Sequence, residues 1–211
     1  MRGLGEHTGS ALSPRKHGGA FNRDFFRRFY LDPKTAVASR AGMALRGRLI
    51  AAFARYLEVD VKRILDAGCG LGLLQASLTR AFPKARYVGL EASPYLCAKF
   101  GWQRGSLADW RSARPFDLVI CYDVLQYLSD REAERALANL ARLSRGLLYF
   151  SALTREDWLH HCDKTRTDGD ATLRPAAWYR RRLRRRFDEA GAGLWVRRGA
   201  PVTLWSLEFA P

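Results

Sequence analysis

The chain has 211 residues, of which 47% are hydrophobic and 12% aromatic, enough apolar material for one domain with a sizeable core. Its apolar runs are far shorter than the roughly 18 residues that cross a membrane, so we expect no membrane partner. The N-terminus has no signal-like apolar segment, which predicts a cytoplasmic protein. The formal net charge of +15 raises the hypothesis of a nucleic-acid partner.

The N-terminal part of the chain divides into a tail and two helices. Residues 1–20 are rich in glycine, serine and basic residues without an apolar period, which predicts a disordered tail. Residues 21–211 are predicted to form one domain. Within it, aromatic residues recur at helical spacing from Phe21 to Tyr30, and a longer helix is predicted over residues 36–57.

Beyond residue 60 the pattern alternates between strands and helices. Predicted strands cover residues 63–65, 86–90, 116–121 and 146–151, with a weaker one at 102–105. Predicted helices cover residues 73–81, 94–100, 131–142 and 175–190. Two last strands, 193–198 and 202–209, read as an antiparallel hairpin. The pattern predicts an α/β fold, Rossmann-like and doubly wound, with a mostly parallel seven-stranded sheet and a C-terminal antiparallel hairpin.

The densest basic run, Arg180 to Arg186, has two interpretations. Apolar residues recur around it at helical spacing, so the arginines would form the solvated face of an amphipathic helix. Alternatively, the same helix would track the phosphates of a nucleic acid. We favour the first interpretation, because the high arginine content accompanies a high alanine content, as a GC-rich coding sequence produces.

A glycine-rich loop follows the first predicted strand. In the segment DAGCGLG, from Asp66 to Gly72, alternate residues are glycine, which permits positive φ and lets a ligand approach the backbone. The dinucleotide fingerprint would need glycine at position 73, where this chain has Leu73. The loop therefore indicates a nucleotide-type site and disfavours a nicotinamide oxidoreductase.

Acidic residues follow the next two strands. Glu91 ends the second predicted strand, where a carboxylate accepts hydrogen bonds from both hydroxyls of a ribose. The following segment, Leu107 to Trp110, offers the Asp109 carboxylate to an adenine amino group and the Trp110 ring beside it. Strand four then ends in polar and aromatic residues that reach the same edge of the sheet.

These ordered motifs resemble those of class I S-adenosylmethionine-dependent methyltransferases, and more narrowly of bacterial ones without an assigned substrate. The resemblance covers about residues 60–153 and implies that S-adenosylmethionine is the cofactor. It implies that the Asp66 to Gly72 loop, with Gly68 and Gly70, wraps the methionine part. The cofactor-binding residues that it implies or that flank its motifs are Asp66, Gly68, Gly70, Glu91, Ala92, Ser93, Leu107, Asp109, Trp110, Cys121 and Tyr30.

Methyl transfer from a sulfonium needs alignment of the reactants, and a general base only for some acceptors. Candidates for the catalytic group are Asp123, Tyr127 and His161, although Asp123 is also explained as a helix cap. Residues 154–175 are expected to form a substrate-side insertion. The adjacent histidines His160 and His161 have no distant partner pair, so we predict no metal. The N-terminal aromatics would either close over the cofactor as a lid or pack as an ordinary helix.

The sequence therefore predicts an enzyme that transfers a methyl group to a small-molecule acceptor. Two alternatives stay open: a nucleic-acid methyltransferase that uses the basic helix at residues 180–186, and a non-catalytic domain that only binds the cofactor. The sequence does not determine the acceptor atom or the oligomeric state.

Overall fold

The computed structural model describes residues 21–206, so the predicted tail at residues 1–20 lies outside the described part. The strands form one sheet in the order β3-β2-β1-β4-β5-β7-β6. They are β1 (Arg63–Ala67), β2 (Arg86–Glu91), β3 (Gln103–Arg104), β4 (Phe116–Tyr122), β5 (Ser144–Ser151), β6 (Phe187–Gly191) and β7 (Leu194–Arg197). The helices are α1 (Arg23–Phe26), α2 (Arg40–Tyr56), α3 (Gln75–Ala81), α4 (Pro94–Phe100), α5 (Asp130–Leu143), α6 (Arg155–His160) and α7 (Ala176–Leu183).

The first five strands are parallel, and the last two are antiparallel to their neighbours. Central strands are apolar on both faces because helices cover both faces of the sheet. Side chains alternate along a strand, so Ile64 and Leu118 pack on the face that α2 and α3 cover. Their neighbours Leu65 and Val119 pack on the face that α5 covers. The predicted doubly wound fold is confirmed.

Helix starts follow local capping rules. Ser129 caps α5 in a capping box with Glu132, and Ser93 caps α4 directly before Pro94. The predicted N-terminal helix begins as α1 and continues as a π-helical turn over Arg27–Leu31. The Rossmann-like core thus carries an aromatic N-terminal segment against its ligand-binding edge.

The C-terminal hairpin comes one element earlier than predicted. The helix predicted over residues 175–190 ends at Leu183, and Phe187–Gly191 forms β6, which pairs with β7. Residues 202–206 contain no strand, so the strand predicted at 202–209 is wrong over its described part. The turn from Gly191 to Gly193 has positive φ throughout, which allows this tight reversal. Pairing with β7 and burial of Phe187 outweigh the helical spacing of the local sequence.

Between residues 21 and 206, the longest helices are too short or too polar to cross a lipid bilayer. The same range holds no cluster of three or more His, Cys, Asp or Glu side chains arranged to bind a metal ion.

Candidate functional site

A cavity of about 380 Å³ opens at the carboxyl edge of the parallel strands. This edge is where open α/β sheets bind their ligands. The loops after β1, β2, β3 and β4 line the cavity on one side, and the N-terminal aromatic segment lines it on the other. Predicted site residues that the structure brings together there are Asp66, Gly68, Gly70, Glu91, Ala92, Ser93, Leu107, Asp123, Tyr127 and Tyr30.

The glycine loop turns sharply at the end of β1. Gly68 has a φ of +76°, and a Cβ at this position would collide with Cγ2 of Val124. Gly70 has a φ of +54°, yet no atom would lie within 4 Å of a Cβ there. The backbone at Gly70 therefore faces open space inside the cavity, and the glycine leaves room for a ligand against the main chain.

Glu91 joins the glycine loop to the start of α4. Its Oε2 accepts a hydrogen bond from the backbone N–H of Gly70 at 2.9 Å. Its Oε1 accepts hydrogen bonds from the backbone N–H groups of Ala92 and Ser93, both at 2.8 Å. A carboxylate has about four acceptor positions, so one stays available to a ligand hydroxyl. Glu91 thus stabilises the glycine loop and also presents a polar group to the cavity.

Asp66 lies beneath the loop and is 3% exposed. The hydroxyl of Tyr87 donates a hydrogen bond to its Oδ2 at 2.5 Å. Burial raises the pKa of Asp66 to about 6, and the charge of Glu91 adds to the rise while the Tyr87 hydrogen bond opposes it.

Tryptophan at position 102 supports the loop from the other side. Its Nε1 donates to the carbonyl oxygen of Gly70 at 3.0 Å, and its ring fills the space beside Gly72 and Gly89. Sequence reasoning missed this residue, because an indole in a weak edge-strand segment carries no pattern that marks it as a loop support.

Four predicted site residues lie away from the cavity lining. Asp109 is exposed and pairs with Arg135 at 3.3 Å, and the Trp110 ring packs against the hydrophobic core. Cys121 is fully buried on the α5 face of the sheet, because its side chain alternates with that of Tyr122. His161 follows α6 and is exposed to solvent. The structure therefore does not bring Asp109, Trp110, Cys121 or His161 to the site.

Other residues take their places. Ser106 lines the cavity after β3 beside the predicted Leu107, while Tyr122 at the end of β4 and Val124 after it line the cavity near Asp123. The signal that could have found Ser106 is its position, since the first residues after a parallel strand face the ligand edge. The boundaries of a two-residue strand are difficult to place from sequence. For this reason the predicted contact to the adenine fell on Asp109 and not on Ser106.

The N-terminal aromatic cluster closes one side of the cavity. Phe25, Phe26 and Phe29 are buried together with Leu96 of α4, while Tyr30 is partly buried beside them. Phe21 makes an edge-to-face contact with Tyr127 at a centroid distance of 5.1 Å. The segment packs on the domain as a short helix with a π-helical turn and also lines the cavity, while its closing over the cofactor as a lid stays a prediction. Burial, the largest cause, raises the pKa of Tyr30, and the charge of Asp123 adds to the rise.

Asp123 lies directly after β4 and has a φ of +55°. The short 3₁₀ turn after it, Leu125–Tyr127, has Val124 at its N-cap position and no side-chain cap, so Asp123 does not cap a helix. Burial raises the pKa of Asp123, whereas side-chain hydrogen bonding with Tyr122 and Gln126 and the charge of Arg46 oppose the rise. A strained residue at a cavity wall is typical of a functional position.

Comparison with known proteins identifies the fold family. Residues 65–145 match the family model described as a methyltransferase domain. This central segment is similar to methyltransferase domains, and the fold around it is that of the class I methyltransferases. The family predicted from the sequence is thereby confirmed.

Curated relatives match part of the chain. A trans-aconitate 2-methyltransferase from Pseudomonas aeruginosa is 36% identical over 76 residues, covering 33% of this chain and 28% of that protein. A ubiquinone biosynthesis O-methyltransferase from Neisseria meningitidis is 31% identical over 121 residues, or 50% of each protein. The chain spans about a third of the length of the first curated relatives that it matches.

Solved structures share the fold at low identity. Magnesium protoporphyrin IX methyltransferase from Synechocystis superposes with a TM-score of 0.55 and 22% identity, covering 84% of this chain and 93% of that one. The shared fold thus extends beyond the central segment to most of the chain.

Proposed function

We propose that this chain binds S-adenosylmethionine and transfers its methyl group to a small-molecule acceptor. The observation that carries the proposal is the open backbone at Gly70, held in place by the buried Glu91 in the wall of the cavity. S-adenosylmethionine supplies an electrophilic methyl group on a positively charged sulfur. The family match over residues 65–145 supports the same donor.

The residues of the cavity would hold the donor by backbone and side chain together. Glu91 has an acceptor position for ribose hydroxyls, and the backbone from Gly68 to Gly70 would lie along the amino-acid part. Ser106 and Leu107 line the cavity after β3 and would contact the adenine base of the donor. Asp123, Tyr127 and Tyr30 lie across the cavity and are the groups that would contact the acceptor. Displacement then requires mainly alignment and exclusion of water.

The charges on the basic segment support a small acceptor. Arg180 and Arg184 both pair with Glu189, and Arg182 pairs with Glu134. Two carboxylates thus pair with three of the arginines that would track phosphates and offset part of their positive charge. Binding of generic RNA and DNA across a salt series tests the remaining alternative, and we expect no salt-dependent affinity.

A cytoplasmic location stays a prediction of the sequence.

Calorimetric titration with S-adenosylhomocysteine, the demethylated product, tests donor binding. We expect Gly70→Val to weaken binding at least about tenfold, because its side chain fills the open space beside the loop. Glu91→Ala should weaken binding by about the same factor. Asp109→Ala is the matched control, since Asp109 lies outside the cavity, and its affinity should change less than about twofold.

Unchanged affinity in both Gly70→Val and Glu91→Ala, with folding intact by circular dichroism, would remove the donor site from this cavity. Release of the labelled methyl group to an acceptor in a metabolite extract tests turnover. Binding without any turnover would favour the non-catalytic alternative.

A further inference from the structure

Charge is distributed unevenly along the cavity. Among the lining residues of the described range, Arg104 is the one basic side chain, against three carboxylates, Asp66, Glu91 and Asp123. Arg104 pairs in register with Glu91 on neighbouring strands, whereas Asp123 follows β4. Strands β3 and β4 are three positions apart in the sheet, or about 14 Å at the usual strand spacing. Asp123 therefore lies at an end of the cavity that carries negative charge without the basic residue.

The Asp123 carboxylate has hydrogen-bonding partners but no salt bridge. Tyr122 and Gln126 hydrogen-bond with it, and its backbone N–H donates to Ser151 at 3.0 Å. Within residues 21–206, no arginine or lysine forms an ion pair with it. Burying a carboxylate is costly unless a cation compensates it. The site thus lacks a positive partner at the wall where an acceptor would lie.

The guanidinium of Arg46, whose charge acts on Asp123, makes its own contacts with other side chains. Arg46 Nε donates to the hydroxyl of Tyr149 at 2.9 Å, and its Nη1 lies 3.1 Å from the sulfur of Met43. Its Cζ lies 4.2 Å from the centre of the Tyr122 ring. Arg46 does not line the cavity, so it lowers the pKa of Asp123 through space without offering a surface to an anion.

Aromatic rings complete this end of the cavity. Tyr122 precedes Asp123 and hydrogen-bonds with it, Tyr30 lies near enough to feel its charge, and Tyr127 lines the same cavity with Phe21 and Phe25. The faces of such rings are negative and attract cations. A carboxylate in an aromatic wall is the chemistry that binds ammonium groups, and it opposes an anionic ligand.

We propose that the methyl acceptor is a small amine whose nitrogen lies against the Asp123 carboxylate. The inference rests on the proposed methyl transfer and assigns its substrate class. An amine that enters as an ammonium gives one proton to the Asp123 carboxylate, leaving a neutral nitrogen with a free electron pair. That pair forms the N–C bond to the methyl carbon as the C–S bond breaks, giving a methylammonium product and a neutral thioether.

Burial supports this step, because the raised pKa of Asp123 makes it a better proton acceptor than an ordinary aspartate. A carboxylate acceptor would instead meet like charge. Trans-aconitate, which gives the Pseudomonas aeruginosa relative its name, is such an acid. The acceptor of this chain therefore differs in charge from the compound in that name.

Three probes that differ only in the functional group test the proposal: benzylamine, benzyl alcohol and benzoate. Each is titrated into protein saturated with S-adenosylhomocysteine at neutral pH. We expect benzylamine to bind at least about tenfold more tightly than benzyl alcohol, and benzoate to bind most weakly. In Asp123→Asn the preference for the amine should fall below about twofold, with affinity for S-adenosylhomocysteine unchanged. Asp109→Asn, the same chemical change outside the cavity, should keep the full preference.

Several results would overturn the amine assignment. Benzyl alcohol or benzoate binding as tightly as benzylamine would do so, as would undetectable binding of benzylamine. A third contrary result concerns the Asp123→Asn variant. If this variant still prefers benzylamine but has lost affinity for S-adenosylmethionine and not for S-adenosylhomocysteine, then Asp123 only balances the positive charge of the sulfonium.

Failure of the proposed function has a different signature, because S-adenosylhomocysteine itself would not bind. Asparagine tolerates the left-handed backbone at this position, so the variant should fold. If it does not, the ranking of the three probes on the wild-type protein still decides.

Discussion

The two ends of the cavity are built in different ways. The end near the glycine loop depends on backbone: Gly68 and Gly70 shape it, and Glu91 fixes it by accepting three backbone N–H groups. The opposite end depends on side chains, Tyr30 from the N-terminal segment and Asp123 after β4. A backbone-built site suits a donor common to a whole family, whereas a side-chain-built site changes with few substitutions. The family match over residues 65–145 contains the glycine loop, Glu91 and Asp123, whereas Tyr30 of the acceptor end lies outside it.

We expect the largest loss of stability from replacing Arg174, which supports the acceptor end of the cavity. Arg174 is 3% exposed and donates to the carbonyl oxygens of Leu125 at 2.8 Å and Leu128 at 2.6 Å, so it holds the turn that carries Tyr127. Arg174→Met removes a buried guanidinium together with its hydrogen bonds to both carbonyls, although Leu125 O keeps the N–H of Leu128, and it should lower the free energy of unfolding by about 4 kcal/mol. Urea denaturation measures the loss.

The control is Arg135→Met, which removes a half-exposed ion pair and should cost less than about 1 kcal/mol. Equal losses in the two variants would show that the buried arginine is not an anchor of this turn.

The next effect tests the backbone of the donor end. Gly68→Ala combines positive φ with a collision against Val124 and should cost about 3 kcal/mol of unfolding free energy. Gly70→Ala has the same kind of φ but open space, so only the backbone strain of about 1 kcal/mol applies. Similar losses at the two glycines would contradict the distinction between a packed and a ligand-facing position.

The smallest effect concerns Asp66, whose folded-state pKa of about 6 is above its ordinary value of 3.8. The folded protein then holds the Asp66 proton more tightly than the unfolded chain does. Protonated Asp66 therefore contributes fully to the free energy of unfolding below pH 3.8, and this contribution is lost as the pH rises through the folded-state pKa. Relative to Asp66→Asn, the wild-type protein should lose about 2 kcal/mol between about pH 4.5 and pH 7.5. Unfolding curves of both proteins that stay parallel over this range would refute the assigned pKa.

The sequence alone determined the doubly wound core, because strands buried on both faces and separated by helix-length segments leave a parallel sheet as the solution. It also determined the donor end, since backbone-built sites need glycine at fixed places and an acidic residue at a strand end. Asp66, Gly68, Gly70 and Glu91 carry these signals in order along the chain.

Only the tertiary structure decided which side chains reach the cavity from distant segments. It placed Asp109 and His161 outside and Ser106 inside, because side-chain direction depends on where each strand ends. It also turned Phe187–Gly191 into a strand, since pairing with β7 outweighs local helical spacing. Local sequence patterns do not reveal the energies of packing and strand pairing between distant segments. For this reason the sequence named Asp123, Tyr127 and His161 together as catalytic candidates, and only the structure showed that Asp123 and Tyr127 line the cavity and that His161 does not.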